Sequence, residues 1–178
     1  PRVGVGHKFP LALPSVDGDW SKCACLLANL SSFVFDYLAR QKVGGTSMTY
    51  FIMKQLPVLP PSAYQAPCPW SPGQTVAEWV LPRVLELVYT AWDLAPFARD
   101  CGHQGPPFRW DAERRFHLRC ELDAAFFHLY SIDRADTEYV LGTFPVTRKN
   151  EERDFGEFRT RRVVLEEYER LAAVRSPS

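Results

Sequence analysis

Eight residues in one short stretch carry the groups that binding to a phosphate backbone requires. Arg40, Lys42 and Lys54 supply cations, and Thr46, Ser47 and Thr49 supply hydroxyls. Gly44 and Gly45 supply main-chain amides with no side chain to hold a partner away. Such cations, hydroxyls and bare amides are the donors that grip phosphates and set a protein's register on a duplex. In a site of this kind Lys42 and Lys54 would hold phosphates, and Arg40 would pair bidentately with a guanine edge. The same residues have a second reading that needs no ligand. A Gly-Gly turn ends a helix, and Arg40 and Lys42 complement the negative end of that helix. Local chemistry leaves both open.

The elements that must position this stretch follow from spacing. Cys23, Leu26, Leu27, Leu30, Phe33, Val34, Tyr37 and Leu38 recur at three- and four-residue steps. They predict one amphipathic helix of about five turns running into the Gly-Gly turn. Asp19 or Ser21 is placed to cap its start. After the turn, Thr49 caps one or two helical turns through Gln55. Leu56 to Leu59 then reads as a short strand, ended by Pro60-Pro61. Arg2 to Leu13 reads as one or two further short strands. Gly4 and Gly6 in it have no third glycine opening a helix, so no nucleotide loop is expected there. His7 and Lys8 read as edge-strand polar residues.

Residues 57–72 hold six prolines, which neither a helix interior nor a central strand accepts. The segment therefore reads as a linker or an extended arm, with Trp70 as its anchor. Beyond it the pattern is helical. Pro82 suits a first turn, and Val84, Leu85, Val88 and Trp92 repeat at core spacing. Asp111 caps a helix through Tyr130 whose Phe116, Leu122, Phe126 and Leu129 face a core. Arg114, Arg115 and Arg119 on its other side have Glu113, Glu121 and Asp123 as intrahelical partners. Asp133 opens another helix. Arg148 to Arg162 is a mixed charge run that reads as a solvated loop. Thr160 caps a last helix through Ala173, with Arg159, Arg161 and Arg162 placed where they could meet phosphate.

The central stretch also carries a resemblance. Ser32-Phe33-Val34-Phe35-Asp36-Tyr37, then Ala39-Arg40-Gln41-Lys42-Val43-Gly44-Gly45-Thr46, then Lys54-Gln55-Leu56-Pro57-Val58, resembles the distal target-recognition region of type IIG restriction-modification methylases. A looser likeness extends to type I specificity subunits. Arg2 to His7, and Leu122-Asp123-Ala124 through Thr143-Phe144-Pro145, resemble further pieces of the same large enzymes, so the likeness covers most of the chain in patches. It implies double-stranded DNA as a partner, the remaining domains of a parent enzyme as another, and Arg40, Lys42, Gly44, Gly45, Thr46, Ser47, Thr49 and Lys54 as DNA contacts. The parent it implies transfers a methyl group from S-adenosylmethionine to the N6 of adenine, flipping the base out of the duplex. None of that chemistry is expected of this stretch itself. It has no Asn-Pro-Pro-aromatic motif, no glycine-rich cofactor loop after a strand, and no carboxylate pair with a lysine at nuclease spacing. No cofactor and no catalytic residue are therefore assigned to it.

Composition bounds the remainder. The chain has 178 residues, is 46% hydrophobic and carries no formal net charge. Disorder is thereby excluded, and so is a global field that would draw the protein to nucleic acid. Residues 1–56 hold six Lys/Arg against three Asp/Glu, whereas residues 57–145 hold seven against eleven. The basic excess lies with the proposed reading element. The sequence opens on Pro1-Arg2 in mid-pattern, which reads as a piece of a longer protein. Five cysteines, an odd number, fit reduced thiols in a cytoplasm. His117 and Cys120 share a helical face without a second pair at zinc spacing, and Cys101-Gly102-His103 has nothing to orient a base. No apolar run is long enough to span a bilayer, so no membrane partner is expected.

These readings combine into an α+β class, mostly helical, with a small β portion confined to residues 1–60. The expected organisation is 1–60 as the distal part of a DNA target-recognition domain, 61–74 as a Pro-rich linker, and 75–178 as a helical C-terminal domain. The rival function is a helical docking module without DNA contact, marked by exposed apolar surface along Trp79, Trp92 and Phe126. A standalone hydrolase has no motif to support it.

Overall fold

The structure is a computed structural model, and it describes residues 19–45 and 47–175. Their order is α1 (Trp20–Leu30), α2 (Phe33–Lys42), α3 (Tyr50–Met53), α4 (Pro61–Gln65), α5 (Val76–Val88), a 3₁₀ turn at Trp92–Leu94, and α6 (Ala95–Asp100). Then come α7 (Ala112–Leu129), α8 (Arg134–Gly142), α9 (Pro145–Phe155) and α10 (Arg159–Arg175). Among the described residues there is no sheet, and a single isolated bridge joins Pro67 and Thr75. The fold is therefore helical rather than α+β. The expected strand at Leu56–Leu59 does not form, because Pro57 and Pro60 have no N–H to give a ladder. The Leu59 amide donates instead to the side chain of Asn29 at 3.1 Å. The strands expected within Arg2 to Leu13 lie outside the described residues.

The long first helix is two helices bent by 65°. Ser32 causes the break by capping α2: its hydroxyl donates to Asn29 O at 2.7 Å and accepts from Phe35 N at 3.4 Å. The apolar stripe continues through the corner, which is why spacing alone reads as one helix. Asp19 caps α1 through Ser21 N, and Thr49 caps α3, both as their residue types require. Pro82 sits inside α5 rather than in its first turn, since a capping box between Thr75 and Glu78 starts that helix at Val76. The charge run 148–162 is not a loop. It forms α9 and the start of α10, separated by Gly156 at φ 77°, a left-handed position suited to glycine. Arg148 supports α9 through Glu152 at 2.7 Å, and Arg162 reaches both Glu157 and Glu166.

Packing centres on α7, whose Ala124, Ala125, Phe126 and Phe127 are fully buried. α10 lies along α7, α1 lies along α5, and α2 touches α7 and α8. The proline-rich segment belongs to the same core: it contains α4, and Tyr64, Cys68 and Trp70 are buried with Ala24, Val80 and Phe126. Trp70 meets Trp79 edge-on at 5.4 Å and lies near His128. Of the apolar residues expected on a docking face, Trp79 and Phe126 are in this core, while Trp92 is exposed.

One buried polar residue ties these parts together. Asn29 is fully buried, and its Oδ1 accepts from Leu59 N and, at 3.3 Å, from the Tyr64 hydroxyl. Its Nδ2 donates at 2.8 Å to the Tyr130 hydroxyl, which in turn donates to Pro57 O at 2.9 Å. A single amide thus joins α1 to the strap 57–59, to α4 and to the end of α7. Removing it leaves several buried groups without partners and opens a void, so Asn29→Ala is expected to lower unfolding free energy by about 2–4 kcal/mol. Urea unfolding followed by circular dichroism checks this; a loss below about 0.5 kcal/mol would contradict it.

Candidate nucleic-acid interface

The direction in which α2 leaves the core is fixed at its first turn. Asp123 of α7, 8% exposed, accepts from Phe33 N at 2.8 Å. Phe33 packs edge-on against Phe144 at 4.6 Å, and Tyr37 against Tyr139 at 6.4 Å. The far end is anchored by Phe35, Ala39 and Leu56, which form a small buried cluster. Residues 43–55 therefore make an excursion whose two ends are held by one apolar contact.

Within that excursion Gly44, Gly45, Ser47, Met48, Thr49, Tyr50, Phe51 and Lys54 are all exposed. α2 ends at Lys42 and its C-cap is Val43, whose N–H donates to Ala39 O, so neither glycine is that cap. Neither glycine has a positive φ, and a Cβ added at either would meet nothing within 4 Å. A helix-terminating glycine turn needs a left-handed residue, and this one has none. No conformational or steric demand of the described chain explains the pair.

The cations divide into two kinds. Arg40 is engaged: it makes a two-pronged pair with Asp36 at 2.8 and 3.1 Å, and its guanidinium lies 4.4 Å from the Phe144 ring centre. The edge it would offer a guanine is already in use. Lys42 and Lys54 are exposed and have no ion-pair partner among the described residues. No Asp or Glu occurs between Asp36 and Glu78, so nothing acidic follows them in this stretch. The Thr49 hydroxyl accepts from Ile52 N at 3.4 Å and orders α3, while Ser47 is exposed. Thr46 lies outside the described residues, as do His7 and Lys8.

Most of the other basic residues singled out by sequence are occupied within the fold, although Arg119, like Arg99, Arg109 and Lys149 elsewhere, has no ion pair among the described residues. Arg114 pairs with Glu86 of α5 at 2.8 Å, and Arg115 donates to Leu87 O at 2.7 Å and covers Trp110. Their partners lie on other elements, not on α7 as spacing suggested. Arg159 pairs with Glu113, Arg161 with Glu138, and Arg162 with Glu157 and Glu166, so the cations at the start of α10 that could have met phosphate meet carboxylates. The five cysteines are free thiols; burial pushes Cys25, Cys68 and Cys120 upward, which makes them core residues rather than nucleophiles. Among the described residues no cluster of His, Cys, Asp or Glu could hold a metal.

The chain matches no family model, no curated protein and no solved structure.

Three residues that matter to this site escaped the spacing argument. Asn29 interrupts an apolar stripe, which was the available signal. Spacing puts Asp123 on a salt-bridged helix face, whereas the structure buries it in the Leu-Asp-Ala-Ala run of α7. Phe51 carries no signal of its own in the sequence, where an apolar residue in a short helix reads as core. Beneath the α1–α2 corner is a cavity of about 520 Å³, lined by Ser31, Phe33, Val84, Phe116, Arg119 and Asp123 among others.

Burial pushes the Asp123 carboxyl up to about 7 from an ordinary 3.8, against the opposing pull of the Phe33 amide and of Arg119. The folded protein thus keeps this proton in a range where the unfolded chain has released it. Proton binding is greater in the folded state, so stability falls as pH rises from about 4 to 7. Asp123→Asn keeps an acceptor for Phe33 and removes the titration. Thermal midpoints across that pH range are expected to fall less steeply in the variant; parallel slopes would contradict the assignment.

Proposed function

We propose that the chain is a DNA-recognition portion of a restriction-modification N6-adenine methyltransferase, holding the duplex without performing the transfer. The observation that carries this reading is the Gly44-Gly45 pair. Among the described residues nothing lies within 4 Å of a Cβ added at either glycine, and neither has the positive φ that would require glycine. Bare main chain is what a strand lying close against the loop requires. Lys42 and Lys54, both exposed and without ion-pair partners among the described residues, hold phosphates on either side of it. The amides of Gly44 and Gly45 and the hydroxyl of Ser47 add donors, and Thr46 belongs to the same loop by sequence. Thr49 orders α3, and Arg40 sets the end of α2 through Asp36 and Phe144. The acid-free stretch from Tyr37 to Ala77 spares the backbone any like-charge repulsion.

The resemblance supplies the parent activity. S-adenosylmethionine, the flipped adenine and any nuclease belong on this reading to other domains, and the methyl transfer is theirs. The docking alternative retains only Trp92 of its three expected anchors.

Duplex binding followed by fluorescence anisotropy over a salt series tests the proposal. Lys42→Ala and Lys54→Ala are each expected to weaken binding to all sequences alike and to flatten the slope of log K against log salt by about 0.9. Arg40→Ala is expected to leave that slope within about 0.3 of the original, because its charge is already matched by Asp36. Salt-independent binding, or equal affinity in all four proteins, would overturn the assignment.

A further inference from the structure

We propose that Phe51 is a wedge that enters the base stack of the duplex held at this loop, a step that rests on the DNA-recognition reading above. Phe51 is 77% exposed and Tyr50 beside it 55%. Several other exposed aromatics have partners: Trp110 lies under Arg115, Phe155 near Arg159, and Tyr139 against Tyr37; Trp92, 69% exposed, has none among the described residues but has no lysine beside it in sequence. Phe51 has no ring or cation partner among the described residues. Its backbone is nevertheless fixed, since Thr49 caps α3 and Gln55 Nε2 donates to Phe51 O at 3.1 Å. The ring is thus presented on an ordered turn with nothing among the described residues to cover it.

The surroundings choose the occupant. Lys54 stands three residues after Phe51, a spacing that puts both on one side of a helical turn, and Lys42 stands on the other side of the glycine pair. Protein interfaces are depleted in lysine; here two exposed lysines flank an aromatic in a stretch without a single acid. Cations beside an aromatic face match a nucleic-acid strand, with phosphates outside and stacked bases within. An apolar side chain inserted between base steps unstacks them locally and bends the duplex. The glycines let the backbone come near enough for the ring to reach.

The test uses short mixed-sequence duplexes, each with one 2-aminopurine, a base whose fluorescence rises when it unstacks. The wild-type chain is expected to raise fluorescence severalfold at a restricted set of positions. Phe51→Ala should abolish that rise and weaken binding about tenfold, with the salt slope unchanged. Lys54→Ala should flatten the salt slope and keep the rise at saturating protein. Because Phe51 is exposed, the thermal midpoint of Phe51→Ala should match the wild type, which separates a binding defect from misfolding. Should Phe51→Ala bind with wild-type affinity, or leave the fluorescence rise intact, the wedge falls and the DNA-recognition reading stands. Should the wild-type chain bind no duplex at all, both fall, and the exposed ring belongs to a protein contact.

Discussion

A buried amide holds the arrangement that the rest depends on. Asn29 sits in the middle of an apolar stripe and would be costly there if its polar atoms were left without partners. It has them all: Leu59 N and Tyr64 Oη on one side, Tyr130 Oη on the other. Because Pro57 and Pro60 cannot form a ladder, the strap between them has few ways to satisfy its backbone. Asn29 and Tyr130 supply two of them, at Leu59 N and Pro57 O. This brings the proline-rich segment into the core instead of leaving it as a tether.

Asp123 performs the matching task one helix later. By accepting from Phe33 N it sets the 65° corner at which α2 leaves α1, and α2 then carries the glycine pair away from the body. The two buried polar groups thus define the base of the excursion, one at its departure and one at its return, while the Phe35, Ala39 and Leu56 cluster closes it. Most of the described residues beyond that closure are exposed, and the stretch is free of acids. The contrast with α9 and α10 is informative. There each of Arg159, Arg161 and Arg162 meets a carboxylate, so a dense charge run contributes to helix packing and leaves little field for a ligand.

Much of the fold was legible because caps and stripes are local. Asp19, Thr49, Asp111 and Asp133 each begin the helix their residue type announces, and Val164, Leu165 and Leu171 bury the stripe of α10. The failures share a cause, which is long-range compensation. Ser32 breaks a helix whose periodicity continues unbroken, helped by an aspartate ninety residues on. Leu56–Leu59 has strand-like residues but no neighbouring strand among the described residues, and finds a side chain instead. Arg148 to Arg162 is polar enough to be a loop, yet pairs at helical spacing and across to α7 and α8. At the candidate site, the residue types were readable from the sequence, but their availability was not. Only the coordinates separate Arg40, engaged by Asp36 and Phe144, from Lys42 and Lys54.

The central claim is that bare main chain at Gly44 and Gly45 lies against a nucleic-acid strand. Amide resonances of the labelled chain, followed by NMR during titration with duplex DNA, address it at the atoms concerned. The Gly44, Gly45 and Ser47 amides are expected to shift most and to gain protection from solvent exchange. If those three stay fixed while resonances elsewhere move, or if no resonance moves, the claim is contradicted.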